Sequence, residues 1–279
     1  MIQGKILTKK AIGIIEKKLR NERLTQQDSN YLSRFVRPKL REMALINSEY
    51  LLGKLDYNPK ARSIENRIKK IVLGSVKDVD AIIICGSAIQ TNYRDYNDLD
   101  VIIATNRVIA KSIKEKNKLI NKIEEEGKKQ GLTLDVQIYA KHSIVSQYSY
   151  SPSLIYQLED SKVIYGNLKI PSKIKLSRLD LKMKLDWSEI FDESSGKDIY
   201  FALRNAILVL LLMNKKVDNY QLNNNLVNTL GPDLVSRLKN NQASKEERKL
   251  ALAYLKLLTN YLEMELNKTK WENIKIENH

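Results

Sequence analysis

VDAIIICGS, residues Val79–Ser87, is a short apolar run rich in β-branched side chains and stopped by a Gly-Ser pair. It is too short for a typical helix and well suited to a pleated surface, so it reads as a buried strand with a tight turn behind it. About ten residues later DLDVIIA, Asp98–Ala104, is polar at its start and apolar afterwards, a second strand. LTLDVQIY, Leu132–Tyr139, alternates as a half-buried third strand, and Ser161–Gly166 reads as a fourth, edge-like one. Residues 107–129 lie between strands two and three and form an amphipathic helix closed near Gly131. Short strands mixed with helices predict an α+β core.

Helices flank this core. Residues 4–20 and 25–72 carry helical patterns, with breaks at Arg37-Pro38 and Asn58-Pro59 and a helix over Ala61–Leu73. Ser153–Gln157 reads as a helical turn, and Lys169–Lys184, with Pro171, as a connector. Further helices are expected over 198–215, 218–230, 232–238 and 244–266, with Gly231-Pro232 as a stop signal. The expected division is a basic helical segment (1–74), a mixed core (75–170) and a helical C-terminal domain (171–279).

Composition removes several classes. Of 279 residues, 43% are hydrophobic and 29% charged, which excludes disorder as the dominant state. A single cysteine excludes an internal disulfide framework. One Cys and two His are too few for a Cys/His zinc site. The longest apolar run, Ala206–Met213, falls far short of the roughly 20 residues a bilayer requires. The N-terminus lacks a signal-peptide pattern, so the expectation is a cytoplasmic protein with no membrane contact. The net charge is +15, and residues 1–75 hold 17 Lys and Arg against 7 Asp and Glu. Such basic helices attract polyanions, although no helix-turn-helix, zinc-finger or RNP signature accompanies them. Solvated helix faces account for the same charge.

The chemistry rests on three acids. Asp98 and Asp100 share a face of the second strand because alternate residues point the same way, and Asp135 interrupts the apolar run of the third. If those strands are neighbours, three carboxylates meet and raise one another's pKa. A hard divalent cation, Mg²⁺ with Mn²⁺ as a substitute, relieves that repulsion. Two such ions suit nucleoside-triphosphate chemistry. Gly86 allows backbone amides to approach a phosphate, and Ser87 adds a hydroxyl donor.

Ile84-Cys85-Gly86-Ser87, then Asp98-Leu99-Asp100-Val101, then Leu134-Asp135-Val136 resembles the motif set of the DNA polymerase β-like nucleotidyltransferase superfamily. The resemblance covers roughly residues 65–170. The helical region beyond 185 is similar to the second domain of aminoglycoside-type members in helix pattern only. It implies that Asp98, Asp100 and Asp135 bind two Mg²⁺ ions, that Asp135 also activates the acceptor, and that Gly86 and Ser87 contact the phosphates. It implies transfer of a nucleoside monophosphate from an NTP, ATP among them, to an acceptor hydroxyl with release of pyrophosphate. The acceptor stays open: RNA or tRNA in a toxin or defence system with a cognate antitoxin or partner protein, an aminoglycoside or lincosamide antibiotic, or a protein hydroxyl. A catalytically inactive binding module is the remaining alternative. Ala88-Ile89-Gln90-Thr91 and Asn97 depart from residues common in the family at these places.

Other residues carry a functional and a structural reading together. Lys197 and Arg204 share a helix face and suit a triphosphate or plain solvent. Arg94, Asp95 and His142 suit the cleft or exposed loops. Cys85 reads as a small buried hydrophobe. Trp187, Tyr148, Tyr150 and Tyr156 suit base stacking or core packing.

Overall fold

The computed structural model describes residues 7–20, 22–45, 56–110, 112–268 and 273–277. The chain divides into two compact units, Met1–Tyr57 and Asn58–His279. Among the described residues no helix is long and apolar enough to cross a membrane.

The first unit contains helices Lys9–Leu19, Gln26–Tyr31 and Arg37–Leu45. Thr8 and Thr25 cap the first two through their side chains. Ala11, Ile14, Leu32 and Val36 form a small core. The expected break at Pro38 does not occur. Leu32–Val36 instead adopts a π-helical turn, in which the Arg37 N–H donates to the Leu32 carbonyl. Proline lacks an N–H and its ring crowds the carbonyl four residues back, and the wider turn accommodates both. Helical expectations over residues 4–6 and 46–55 lie outside the described residues.

The second unit is built on strands β1 (Val79–Cys85), β2 (Leu99–Thr105), β3 (Leu134–Ala140) and β4 (Lys162–Gly166). Their order is β3-β2-β1-β4. β1 runs antiparallel to both β2 and β4, and β2 runs parallel to β3. The parallel pair needs a crossover, and helix Ile113–Lys129 supplies it. Ser112 caps that helix, so it starts later than residue 107.

Both faces of the sheet are covered. Ile82, Ile84, Val101, Ile103, Val136 and Ile138 pack with Ile64, Ile68 and Val72 of helix Pro59–Ser75 and Ile123 of the crossover helix. Ala81, Ile83, Cys85, Ile102 and Ala104 face the other way, into one core with the C-terminal helices. Strand alternation enforces this division. Helix Pro59–Ser75, grouped with the basic segment in the sequence reading, is thus part of the second unit's core.

The C-terminal half contains helices Arg178–Asp186, Gly196–Met213, Asn219–Leu230, Pro232–Lys239 and Lys245–Lys268. The supposed connector 169–184 is not irregular. It holds β5 (Lys173–Ser177), which pairs antiparallel with β6 (Asn273–Glu277), and most of helix Arg178–Asp186. Helix Lys141–Tyr148 likewise follows β3 directly.

Glu65 ties three elements of the sheet layer together. It is 8% exposed, and its Oε1 accepts from Tyr93 Oη at 3.0 Å and Lys162 Nζ at 2.7 Å. Removing it strands the buried Tyr93 hydroxyl. Glu65→Ala is expected to destabilise the protein by about 1–3 kcal/mol in urea unfolding. Lys129→Ala breaks an exposed pair on the crossover helix and should leave the urea midpoint essentially unchanged.

Candidate active site

The register of the sheet brings the acids together. Cys85 at the end of β1 stands opposite Asp100 on β2, and Asp100 stands opposite Asp135 on β3. Asp98 immediately precedes β2. Asp100 and Asp135 lie on the sheet face turned toward the C-terminal helices, because their apolar neighbours Val101 and Val136 take the other face.

Gly86 lies directly against Asp100. Its φ of +74° favours glycine, and a Cβ built there would run into Asp100 Oδ2. The chain turns sharply between β1 and the short helix Ser87–Gln90 without placing a side chain between the acids and the turn.

These residues line one open cleft of about 500 Å³ together with the C-terminal helices. Gly86, Ser87, Asp98, Asp100, Asp135 and Arg204, the site residues expected from sequence, all border it. One face of helix Gly196–Met213 forms a wall: Lys197, Tyr200, Phe201, Arg204 and Leu208 recur at helical spacing. The opposite face of that helix buries Ala202, Ala206 and Val209 in the core. Helix Arg178–Asp186 adds Lys184, and Lys239 closes helix Pro232–Lys239.

The remaining wall is polar and uncharged. Tyr156 Oη donates to the Lys216 carbonyl at 3.0 Å. Asn219 Nδ2 donates to the Tyr156 carbonyl and to Glu159 Oε2, both at 2.8 Å.

Charge separates across the cleft. All three lining carboxylates come from the sheet side, and Lys184, Lys197, Arg204 and Lys239 come from the helices. The Asp100 carboxyl is pushed up to about 6 by burial, then by Asp98 and Asp135, with Arg204 acting against the rise. On the facing wall, burial and then Arg204 push the Lys184 ammonium down to about 8.

Among the described residues no three His, Cys, Asp or Glu side chains form a ready-made metal cage. The donor set nevertheless fits Mg²⁺, which commonly takes one or two carboxylates and completes its shell with water and substrate phosphates. The elevated Asp100 marks negative charge that the protein alone leaves poorly compensated.

Several sequence candidates lie elsewhere. Tyr148 is fully buried in the core, and Tyr150 and His142 do not line the cleft. Arg94 and Asp95 stay in the exposed loop before β2. Cys85 is buried, its Sγ 3.7 Å from the Asp100 carbonyl oxygen, and burial pushes its thiol up. Trp187 does not line the cleft but stacks under the Lys184 ammonium, 4.7 Å from the ring centroid. Lys184, Lys239, Tyr200, Phe201 and Asn219 went unnoticed in the sequence. Only their spacing from Arg204 could have marked Tyr200 and Phe201.

No family model matches the chain, and no curated protein matches it. Among solved structures, spectinomycin adenyltransferase AAD(9) from Enterococcus faecialis with ATP and spectinomycin is similar at 18% identity and a TM-score of 0.48. That match covers 74% of this chain and 99% of that one. A tri-AMPylated Shewanella oneidensis HEPN toxin in complex with MNT antitoxin matches at 17% identity and a TM-score of 0.27, over 38% of this chain and 73% of that chain. A toxin–antitoxin with AMP-PNP matches at 18% and 0.28, over 37% and 73%. Likeness at this level transmits no activity, and the chemistry of the cleft follows from its own residues.

The raised Asp100 has a thermodynamic signature. Between its ordinary value of 3.8 and about 6, the folded protein holds a proton that the unfolded chain has released. This contribution therefore falls as pH rises through that window. Without divalent cations at pH 7.5, Asp100→Asn is expected to be more stable than the parent by about 1–2 kcal/mol, after discounting for solvent screening. Guanidinium unfolding in EDTA measures this, and the gain should vanish at pH 4.

Proposed function

We propose that this protein is a Mg²⁺-dependent nucleotidyltransferase. It moves a nucleoside monophosphate from an NTP to an acceptor hydroxyl and releases pyrophosphate. The observation that carries the reading is the pairing of Asp100 with Asp135 across β2 and β3, beside Asp98 and above the Gly86-Ser87 turn. Mg²⁺, when bound, polarises phosphate oxygens and makes a hydroxyl easier to deprotonate.

In this reading Asp98 and Asp100 hold the ions and Asp135 completes the set. Gly86 gives the triphosphate access to the backbone, and the Ser87 hydroxyl donates to a phosphate oxygen. Asp135 orients the acceptor hydroxyl and receives its proton. The acceptor oxygen bonds to the α-phosphorus as the bond to the β-phosphate oxygen breaks. Arg204, on the facing helix wall, offsets the charge that builds on departing pyrophosphate in this reading. The cleft walls hold donor and acceptor in one orientation, which lowers the barrier by proximity.

Protein incubated with Mg²⁺, each α-³²P-labelled NTP in turn and a cell lysate should transfer label to one of three fractions: RNA, protein or small molecules. Asp98→Ala/Asp100→Ala should lower transfer by more than about 100-fold, beyond the cost of losing an outer ligand partner. Absence of NTP binding by the parent protein sinks the enzyme reading and leaves the inactive binding module.

A further inference from the structure

Helix Lys245–Lys268 is apolar on two faces. Ala251, Leu255, Leu258, Leu262 and Leu266 form the stripe it buries in the core. A second stripe stays in solvent: Leu250, Leu257 and Met264 recur every seven residues, with Ala253 and Tyr261 between them. One apolar stripe is enough to hold a surface helix in place. A seven-residue repeat is the pattern by which one helix seats along another.

The neighbouring helix repeats the feature. Leu181 and Leu185 of Arg178–Asp186 are buried, whereas Leu179 and Met183 lie exposed one turn apart and Trp187 extends their row. Phe191 follows in the loop behind them. The two helices pack together. Lys182 Nζ donates to Asn267 Oδ1 at 2.6 Å, and Lys256 Nζ donates to Asp192 Oδ1 at 2.9 Å. The second bond joins the residues beside Leu257 and Phe191, so both rows belong to one surface. None of the exposed side chains in these rows lines the cleft.

The large side chains of this face are exposed from 50% at Tyr261 to 80% at Phe191. An aromatic side chain carries roughly 150–250 Å², so Trp187, Phe191 and Tyr261 alone leave about 400 Å² in water. With Leu179, Met183, Leu250, Leu257 and Met264 the face reaches about 800 Å², the area each partner brings to a stable interface. The largest apolar patch of a typical monomer is roughly 300–600 Å².

Charge selects the occupant. The chain carries a net charge of +15, which sets one copy against another over most of its surface. Residues 178–193 and 245–268 depart from this, with eight Lys and Arg against nine Asp and Glu. A second copy meets no net repulsion there, and the mixed signs let each copy's cations face the other's acids. A strongly acidic partner gains nothing from so neutral a face. A two-fold axis sets one patch against the same patch, which a self-complementary surface satisfies.

We propose that this face is where two copies of the chain associate, with their Lys245–Lys268 helices paired across a two-fold axis near Leu257. Leu257 is the middle of the three repeats, so it meets its own counterpart whether the helices run parallel or antiparallel. Association does not depend on the chemistry of the cleft.

Sedimentation velocity of the full-length, nuclease-treated protein in about 0.5 M NaCl, where surface charge is screened, tests this. Dimer should be present between about 1 and 100 µM, since interfaces of this area bind at micromolar strength or tighter. Leu257→Lys/Met264→Lys should raise the dimer Kd by about 100-fold or more, because unpaired ammonium groups would enter the seam. Leu73→Lys, at an exposed leucine of helix Pro59–Ser75, should leave it unchanged. A thermal melt verifies that both variants fold. Leu257→Cys should form an intermolecular disulfide with oxidised glutathione, whereas the parent, whose one cysteine Cys85 is buried, should form none. The cross-link decides the matter where the lysine variant does not fold.

A parent protein that stays monomeric at about 100 µM overturns the assignment and leaves the face to a different protein. A dimer that survives the double substitution lies on another face and also overturns it. So does failure of Leu257→Cys to cross-link in a sample that sediments as dimer.

Discussion

The cleft depends on strand register. Antiparallel pairing sets Cys85 against Asp100, and parallel pairing sets Asp100 against Asp135. A slip of one residue on β2 would turn Asp100 into the apolar layer under helix Pro59–Ser75 and bring Val101 to the cleft. Burial of both sheet faces prevents that slip. Ile82, Ile84 and Ile103 fill one layer, and Ile83, Ile102 and Ala104 fill the other. The apolar core therefore fixes the position of three charged groups that would otherwise move apart. Gly86 makes the same demand from below, because any larger residue would occupy the space of the Asp100 carboxylate.

That arrangement places unlike charge on unlike elements. Acids stand on strand ends, where the backbone is held on both sides. Cations stand on helix faces, where long side chains can adjust. The raised Asp100 and the lowered Lys184 are two sides of one condition: each is buried beside groups of its own sign. Arg204 eases the acids and aggravates Lys184 at once. A ligand that brings divalent cations to the first group and phosphates to the second relieves both. Both groups are held away from their ordinary values first by burial and then by like charge, which is the usual balance between stability and function at a binding site.

Much of this was legible in the sequence because the informative residues are local. The β-branched run before Gly86, the Asp-x-Asp at the head of β2 and the acid within an apolar β3 each declare themselves within ten residues. What stayed hidden depends on distant partners. β5 is five residues long and pairs with β6 almost a hundred residues away, so Lys173–Ser177 looks like part of a basic connector. Lys184 lies in the same stretch, on a helix that packs against Gly196–Met213 and Lys245–Lys268, and it is buried. Pro38 misled for the opposite reason. Its local rule is sound, but a π turn satisfied the rule without ending the helix.

Helix Gly196–Met213 joins the two kinds of information. Its sequence shows an apolar stripe and two cations seven residues apart, enough to predict a shared face but not what that face meets. In the structure one side of this helix packs in the same core as Ile83, Ile102 and Ala104 of the sheet. Its other side presents Lys197, Phe201 and Arg204 to the cleft. Because one rigid element serves both purposes, the distance from the acids to the cations is set by core packing. A hydrophobic interior that resists compression can hold opposed charges apart at a fixed spacing, and the proposed reaction needs its two walls held in that way.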